Sequence, residues 1–475
     1  MGERASLKKK KRNKKKNEIH GKDENTCKNI SDLPNVLIHE ILSSLPTKDA
    51  VQTSVLSKYW RHQWRNVYKF ELKEESHERR EAFKDFVKSL VRGSKNSLCL
   101  KKFSLSCEVG NDAALVNVWL LAFINRGIEE LILDFNNVKE QLYFPEDVFD
   151  SPTLRKFHLS MPFCFILPPR YDFQNLKEMT LKHVVFQDGY MTLKLFCGCF
   201  SLEDLTLIDC NWMNVGSACI CCPMLKNLTI IEWIHEDAGD DNDDEEEEED
   251  SGPQCQIVIV GTNLKTFSYE GDMANDYFFY CTSSVVKARL NIKAWGGSSW
   301  HTGFFVFKML RAFPNVEKLS ISDSAIQALC HAHHLIPHLP CFNNVTHLQL
   351  MMEEPLNLPC KAFMVLLHNS PCLQTLHFDM GISVGEEEDV GGGLSIPKCF
   401  GTHLKRINIS GFSGKSLELN AIKYLLGVTP VLEELNIYSN GCVVDSDDPI
   451  QMMEDLSCKI LAFPRASQDC DLHLE

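Results

Sequence analysis

SPTLRKFHLS at residues 151–160 and FQNLKEMTLK at residues 173–182 decide how this chain folds. The first places apolar residues at i, i+3 and i+5, as Leu154, Phe157 and Leu159; the second repeats the spacing as Leu176, Met179 and Leu181. Positions i+3 and i+5 are two apart, so they share one face of a short strand, and position i tucks into the bend before it. The unit recurs as FSLEDLTLID (Leu202, Leu205, Leu207), CPMLKNLTII, GTNLKTFSYE, FPNVEKLSIS, FNNVTHLQLM, SPCLQTLHFD, GTHLKRINIS and TPVLEELNIY. Weaker copies begin at Leu100, Ile128 and Val285. Most copies lie about 22 to 31 residues apart, a period of stacked repeats.

One such unit cannot bury its apolar face alone, but a stack can. The residues between strands must loop back, often through a helical turn. The expected fold class is therefore α/β: a curved leucine-rich-repeat solenoid over residues 99–395, with a parallel sheet on its concave face. A small three-helix unit precedes it at 29–75, then a linker and capping helix at 76–98. In that helix Phe83, Phe86, Val87, Leu90 and Val91 fall at helical spacing, and Gly93 marks a stop. Residues 396–475 hold the copies at Leu404 and Leu432 and read as the end of the solenoid.

Composition agrees. A chain of 475 residues is too long for one ordinary core unless that core is a stacked array. The net charge of −15 is unevenly spread. KKKKRNKKK (Lys8–Lys16) lies in a polar segment, 1–28, that cannot bury apolar surface and is expected to be disordered. EDAGDDNDDEEEEED (Glu236–Asp250) is too repulsive to fold and reads as an exposed loop over 235–254; VGEEEDVGGG (Val384–Gly393) reads as a second. No signal-peptide pattern and no run of about 18 apolar residues occurs. The 20 cysteines are scattered and are expected to be reduced and mostly buried.

Ahead of the repeats stands SDLPNVLIHEILSSLPTKDAVQTSVLSKYWRHQW, residues 31–64. Ser31 or Asp32 can cap a helix with Pro34 in its first turn. Leu37, Ile41 and Leu45 are spaced by four, and Ile38 and Leu42 form the adjacent row. Pro46 ends that helix. Thr47 can cap a second through Val55, and Ser57 a third carrying Tyr59, Trp60 and Trp64. Each is near or below the roughly 12–15 residues that are marginal in isolation. The segment is thus a docking surface or a cap packed on the first repeat.

Those residues carry a resemblance. The Asp32-Leu33-Pro34 entry, Leu37, Ile41, Leu42, the Leu45-Pro46 break and the Val55-Leu56-Ser57, Trp60, Trp64 finish resemble the plant F-box. LYFPEDVFDSPTLRKFHLS followed by FQNLKEMTLKHVVF is similar to the middle of plant F-box/leucine-rich-repeat proteins. IPKCFGTHLKRINISGFSG, ELNAIKYLLGVTPVLEELNIY and ILAFPRASQDC resemble the FBD domain of that family, with Gly427–Thr429 departing from its usual helix end. The resemblance covers roughly residues 30–470. It implies a non-catalytic, substrate-recognition adaptor subunit of an SCF-type ubiquitin ligase. Its partners would be a Skp-type adaptor, through it a cullin, and a protein target. The implied adaptor contacts are Leu33, Pro34, Leu37, Ile41, Leu42, Leu45, Pro46, Val55, Leu56 and Trp60, some of which must instead hold the helices together.

The target would lie on the strand residues that alternate with the buried ones. These include Lys287, Arg289, Lys318, Ser320, His347, Gln349, His377 and Asp379, with Arg406 further on. Charges and amides mixed in this way suit protein recognition. They offer no nucleophile or acid/base pair at diagnostic spacing, and each residue singly also fits a plain solvated strand.

Weaker signals remain. Lys8, Lys9, Lys10, Lys11, Arg12, Lys14, Lys15 and Lys16 resemble a nuclear localisation signal, or form a nonspecific basic tail; a location in the nucleus, the cytoplasm or both is expected. Met1-Gly2 with Ser6 fits the loose myristoylation pattern, with Glu3 against it. That leaves an alternative: a repeat scaffold without a ligase role, tethered to a membrane through its N-terminus. Cys197, Cys199, Cys219, Cys221 and Cys222 lack the C-x₂-C spacing of zinc sites and read as core. His331, His333, His334 and His338 have no accompanying carboxylate or thiol and read as a surface connector. No phosphate loop, dinucleotide fingerprint, HExxH or nucleophile elbow occurs. No metal, no cofactor, no specific nucleic acid and no membrane partner is expected.

Overall fold

A computed structural model describes residues 30–93, 100–233, 255–293, 300–384, 395–439 and 449–474. The basic run, Gly2, the acidic loop and all of the second loop beyond Val384 lie outside the described residues. The chain divides into two compact units, one ending at Trp64 and one starting at Arg65.

The first unit contains the helices Asn35–Ser44 and Thr47–Gln52 and the 3-10 turns Ile30–Asp32 and Thr53–Val55, and a further 3-10 helix, Trp60–Asn66, runs across its end at Trp64. Its helix starts differ from expectation. Pro34 and Pro46 themselves occupy the N-cap positions, and neither helix has a side-chain cap. Each proline holds the extended conformation a cap position requires. Ser31 accepts a hydrogen bond from the Trp60 indole N–H at 3.0 Å. Ser57 does act on the third turn: its Oγ accepts from Trp60 N at 3.4 Å.

The second unit is built on one parallel sheet of fifteen strands among the described residues. In chain order they are Lys69–Lys73, Lys102–Gly110, Glu130–Val138, Lys156–Ser160, Glu178–Lys182, Asp204–Ile208, Asn227–Glu232, Thr266–Gly271, Lys287–Ile292, Lys318–Ser322, His347–Met351, Thr375–Phe378, Arg406–Ile409, Glu434–Ile437 and Asp471–Leu474. Every repeat copy read from the sequence supplies one of them. The register aligns i+3 on i+3 throughout, as in Leu376 opposite Ile407 and Ile407 opposite Leu435. All the i, i+3 and i+5 side chains of the named copies are buried. At about 1.5–3 kcal/mol for each Leu, Ile or Phe, this layer dominates the stability of the unit.

A second regularity stitches the strands at their entry. At every step up to Lys405 the carbonyl of residue i+1 accepts two N–H groups from the next repeat; at the last, among the described residues, Glu433 O accepts Asp471 N alone. Lys226 O takes Lys265 N and Thr266 N; Lys265 O takes Val286 N and Lys287 N; Val286 O takes Glu317 N and Lys318 N. Asparagines before position i add a parallel ladder. Asn175, Asn263 and Asn315 each donate through Nδ2 to a carbonyl of the preceding turn, at 2.9, 2.7 and 3.0 Å.

Helices cover much of the buried side, including Ala113–Ile124, Gly189–Cys197, Trp300–Ala312, Asp323–His331, Lys361–His368 and Ser416–Val428. Asp188 and Ser322 cap two of them through their side-chain oxygens. In mid-array a second, three-stranded parallel sheet stands where a helical return was expected: Ser217–Ile220, Gln256–Val260 and Asp276–Tyr280. QIVIV and DYFFY are β-branched and aromatic, and the interval between Leu264 and Val285 is too short for a helix. Phe279 and Phe313 close on Phe267 there, at 5.1 and 5.2 Å between ring centroids. The thiols are not all reduced, contrary to expectation: Cys197 and Cys221 form a disulfide, their Cα atoms 5.4 Å apart. The helix that Cys197 ends lies against the strand that Cys221 follows, so the repeat geometry itself aligns them.

Beside that second sheet sits a buried carboxylate. Glu232 accepts hydrogen bonds from Tyr269 Oη (2.7 Å), Tyr277 Oη (2.7 Å) and Asn275 Nδ2 (2.8 Å). Burial raises its pKa above the usual range, and the three donors oppose that rise. Gly271 passes over it with φ +142°; a Cβ there would lie 1.7 Å from the Glu232 carbonyl oxygen.

Candidate docking surfaces

The first surface is the helix Asn35–Ser44. Its apolar stripe splits into two rows. Ile38 and Leu42 are interior, 0% and 1% exposed, whereas Leu37, Ile41 and Leu45 are 45%, 40% and 37% exposed. Val36 on the same helix, and Val55 and Leu56 beyond the next, are also exposed, as are Pro34 and Pro46; Leu33 is half-buried. Of the expected adaptor contacts, Leu42 and Trp60 are therefore interior, and Trp60 is tied to Ser31 as described. Tyr59 Oη donates to Asn35 Oδ1 at 2.5 Å, and His39 Nε2 meets Gln63 Oε1 at 2.9 Å, so the polar side fastens the short helices to one another. Val36 was missed by the sequence reading; its place beside Leu37 and one turn before Glu40 gave no periodic signal.

The second surface is the open face of the large sheet, formed by residues i+2 and i+4. The structure puts all the expected target residues there or just beyond. Lys287, Lys318 and His347 are register partners in the i+2 row, as are Arg289, Ser320, Gln349 and His377 in the i+4 row. The i+4 side chains join into a network. Ser320 Oγ donates to Gln349 Oε1 (3.1 Å), Gln349 Nε2 donates to Asp379 Oδ1 (3.0 Å), and His377 Nε2 lies 3.0 Å from the same oxygen.

Along the i+2 row the charges follow a rule that sequence reasoning missed. A cation on one strand meets a carboxylate on the next. Lys102 binds Glu130 at 2.6 Å, Lys156 binds Glu178 at 2.5 Å, and Arg406 grips Glu434 through two nitrogens, at 2.6 and 2.9 Å. Arg406 is thus engaged within the chain, and its bonds hold the Glu434 carboxyl below the usual range. One position earlier, Lys177 and Lys226 flank Glu203 and hold it at about 2. The recurrence of Lys or Arg and then Glu one repeat apart is the signal that could have found these pairs.

Other candidates are accounted for by packing. His334 stacks on Trp300, at 6.0 Å between centroids, and accepts its indole N–H. Cys199 and Cys222 are buried, and burial pushes the Cys222 thiol up to about 12. Among the described residues no group of three His, Cys, Asp or Glu side chains is placed to hold a metal ion, and no helix is long and apolar enough to cross a membrane.

Comparison with known proteins bears on both surfaces. The F-box domain model matches residues 30–72, and the model of the repeats of FBD-associated F-box protein At5g56370 matches 116–240. The FBD model matches 394–437. F-box/LRR-repeat protein At4g14103 of Arabidopsis thaliana is 30% identical over 371 residues, 74% of this chain and 91% of that one. The chain belongs to the plant F-box/FBD/LRR-repeat family. Putative F-box/FBD/LRR-repeat protein At3g59240 of the same plant is 28% identical, covering 88% of this chain and 85% of its own. Putative FBD-associated F-box protein At1g55030 is 27% identical, covering 92% and 97%. In this F-box/FBD/LRR-repeat protein the F-box match starts where the described helices start, and the FBD match spans two strands of the large sheet, Arg406–Ile409 and Glu434–Ile437. An F-box of this kind implies, in general, binding to a Skp-type adaptor.

Proposed function

We propose that this chain recruits protein targets to an SCF-type ubiquitin ligase, docking a Skp-type adaptor with its F-box and holding the target on the open sheet face. The observation that carries the reading is the exposed row Leu37, Ile41 and Leu45 on a helix too short to be stable by itself. An apolar row left in water beside an interior row is what a helix-mediated interface needs. The adaptor contacts we assign are Leu33, Pro34, Leu37, Ile41, Leu45, Pro46, Val55 and Leu56; Leu42 and Trp60 support them from inside. The chain performs no bond chemistry in this scheme; a cullin and the ubiquitin-conjugating machinery join through the adaptor.

Co-expression of the full chain with a plant Skp-type adaptor tests it. A stable complex is the expected result, and a chain that purifies folded and alone overturns the reading. The basic run Lys8–Lys16 serves as a nuclear signal in this proposal; a fluorescent fusion that stays nuclear with those lysines changed to Ser removes that part.

A further inference from the structure

The open face has an uncompensated centre. Elsewhere in the i+2 row Lys102, Lys156 and Arg406 are matched by the chain's own carboxylates one strand away, and Lys69, which faces Lys102, pairs with Glu71 on its own strand. On the strands Lys287–Ile292 and Lys318–Ser322 the pattern stops. Lys287 faces Lys318 in register, and Lys318 faces His347. Arg289 sits in the neighbouring row, between Ser268 and Ser320. None of Lys287, Arg289 and Lys318 has an ion-pair partner among the described residues, although Glu270 and Glu317 stand on or beside the same strands. Lys287 and Lys318 are exposed and Arg289 is half-buried.

Parallel strands are about 4.8 Å apart, so two ammonium groups rooted on facing residues repel unless an anion lies between them. Nearby, the His347 imidazole is held below its usual pKa by burial, then by Lys318 and Arg406, which marks the same positive field. The sheet itself supplies the template for what relieves it: a side-chain carboxylate at one-strand spacing, as at Lys102–Glu130 and Lys156–Glu178.

We infer that Lys287, Arg289 and Lys318 form the subsite for an acidic, carboxylate-rich segment of a protein partner, which completes in trans the pairing that the rest of the row makes in cis. This rests on the target-binding reading of the sheet face and names its chemistry. Ser268 beside the cations, and Ser320, whose hydroxyl oxygen can still accept, supply neutral hydrogen-bonding groups suited to an extended backbone, while Gln349 is already held by Ser320 and Asp379. Exposed pairs of this kind steer and select a partner more than they hold it, so the expected interaction is salt-sensitive.

The test uses the full chain and a fluorescein-labelled 12-residue peptide alternating Glu and Ser, read by anisotropy. A Gln-for-Glu peptide, a phosphoserine peptide and a single-stranded oligonucleotide serve as comparisons. Binding of the Glu peptide, weakened at least tenfold by K287E with K318E but changed less than twofold by K423E on the helix Ser416–Val428, supports the subsite. Circular dichroism melting verifies that the double variant is folded; R289Q provides a milder second reading, expected to weaken binding threefold or more. Equal binding of the Gln peptide, binding of the phosphoserine peptide alone, tighter binding of the oligonucleotide, or indifference to all three substitutions overturns it. So does peptide binding that emerges only when the acids of Glu236–Asp250 are replaced by Ser, which would assign the cations to this chain's own segment. Adaptor co-purification is scored on the same preparations. A chain that keeps the adaptor but ignores the Glu peptide sinks this inference alone; one that binds the peptide but not the adaptor sinks the ligase reading alone.

Discussion

In the strand Thr266–Gly271, Phe267 and Tyr269 are fully buried and Ser268 between them faces outward. In the helix Asn35–Ser44, Ile38 and Leu42 are buried to the same degree, yet Leu37, Ile41 and the C-cap residue Leu45 are exposed. The repeat array satisfies its apolar pattern within the chain, repeat against repeat. The short helices satisfy only half of theirs. Periodicity alone cannot separate the two cases, because both patterns are regular. The separating fact is whether a covering element exists in the same chain.

Substitutions sharpen that contrast. Phe267→Ala removes a ring packed against both Phe279 and Phe313 and is expected to destabilise the repeat unit by about 3–5 kcal/mol; chemical denaturation measures it, and a loss under about 1 kcal/mol would mean the mid-array core is loosely packed. Leu37→Asp with Ile41→Asp is expected to weaken the Skp-type adaptor by at least about 30-fold, the factor that about 2 kcal/mol carries, while the repeat unit melts as before. If both properties drop together, the distinction between the two regions breaks.

A pH series probes the array from within. The pKa of Glu232 is raised in the folded state. Its contribution is therefore fully present below the ordinary glutamate value of about 4.3 and is lost as pH rises through the raised folded value. Glu232→Gln should flatten the pH dependence of unfolding over that window; an unchanged profile excludes Glu232 as its source. The smallest effect belongs to Arg406→Ala. Its partner Glu434 is solvent-exposed, so the melting midpoint should stay within error, as surface ion pairs generally contribute little.

The sequence made the repeat strands legible because burial enforces their spacing. Two strands escaped it. Val67, Phe70 and Leu72 carry the same i, i+3, i+5 pattern but lie inside the stretch assigned to the helical unit. At the last strand Leu472 and Leu474 hold i+3 and i+5, but Asp469 stands where the apolar i residue belongs. The docking surfaces were legible only as sets. Which leucine turns outward depends on helix rotation, and that Arg406 meets Glu434 depends on strand register; neither is written in local sequence.

The relay of doubly accepting carbonyls has a consequence for how such chains can be altered. The step from Lys226 to Lys265 is nearly twice as long as the step from Lys265 to Val286, yet both end in the same pair of hydrogen bonds. The array counts strands and ignores the residues spent between them. A foreign domain with adjacent termini, spliced between Trp233 and Cys255, should therefore ride on the protein without disturbing its sheet. Evolution has the same freedom: outer segments can lengthen, shorten or change sign while the row of target-facing residues keeps its alignment.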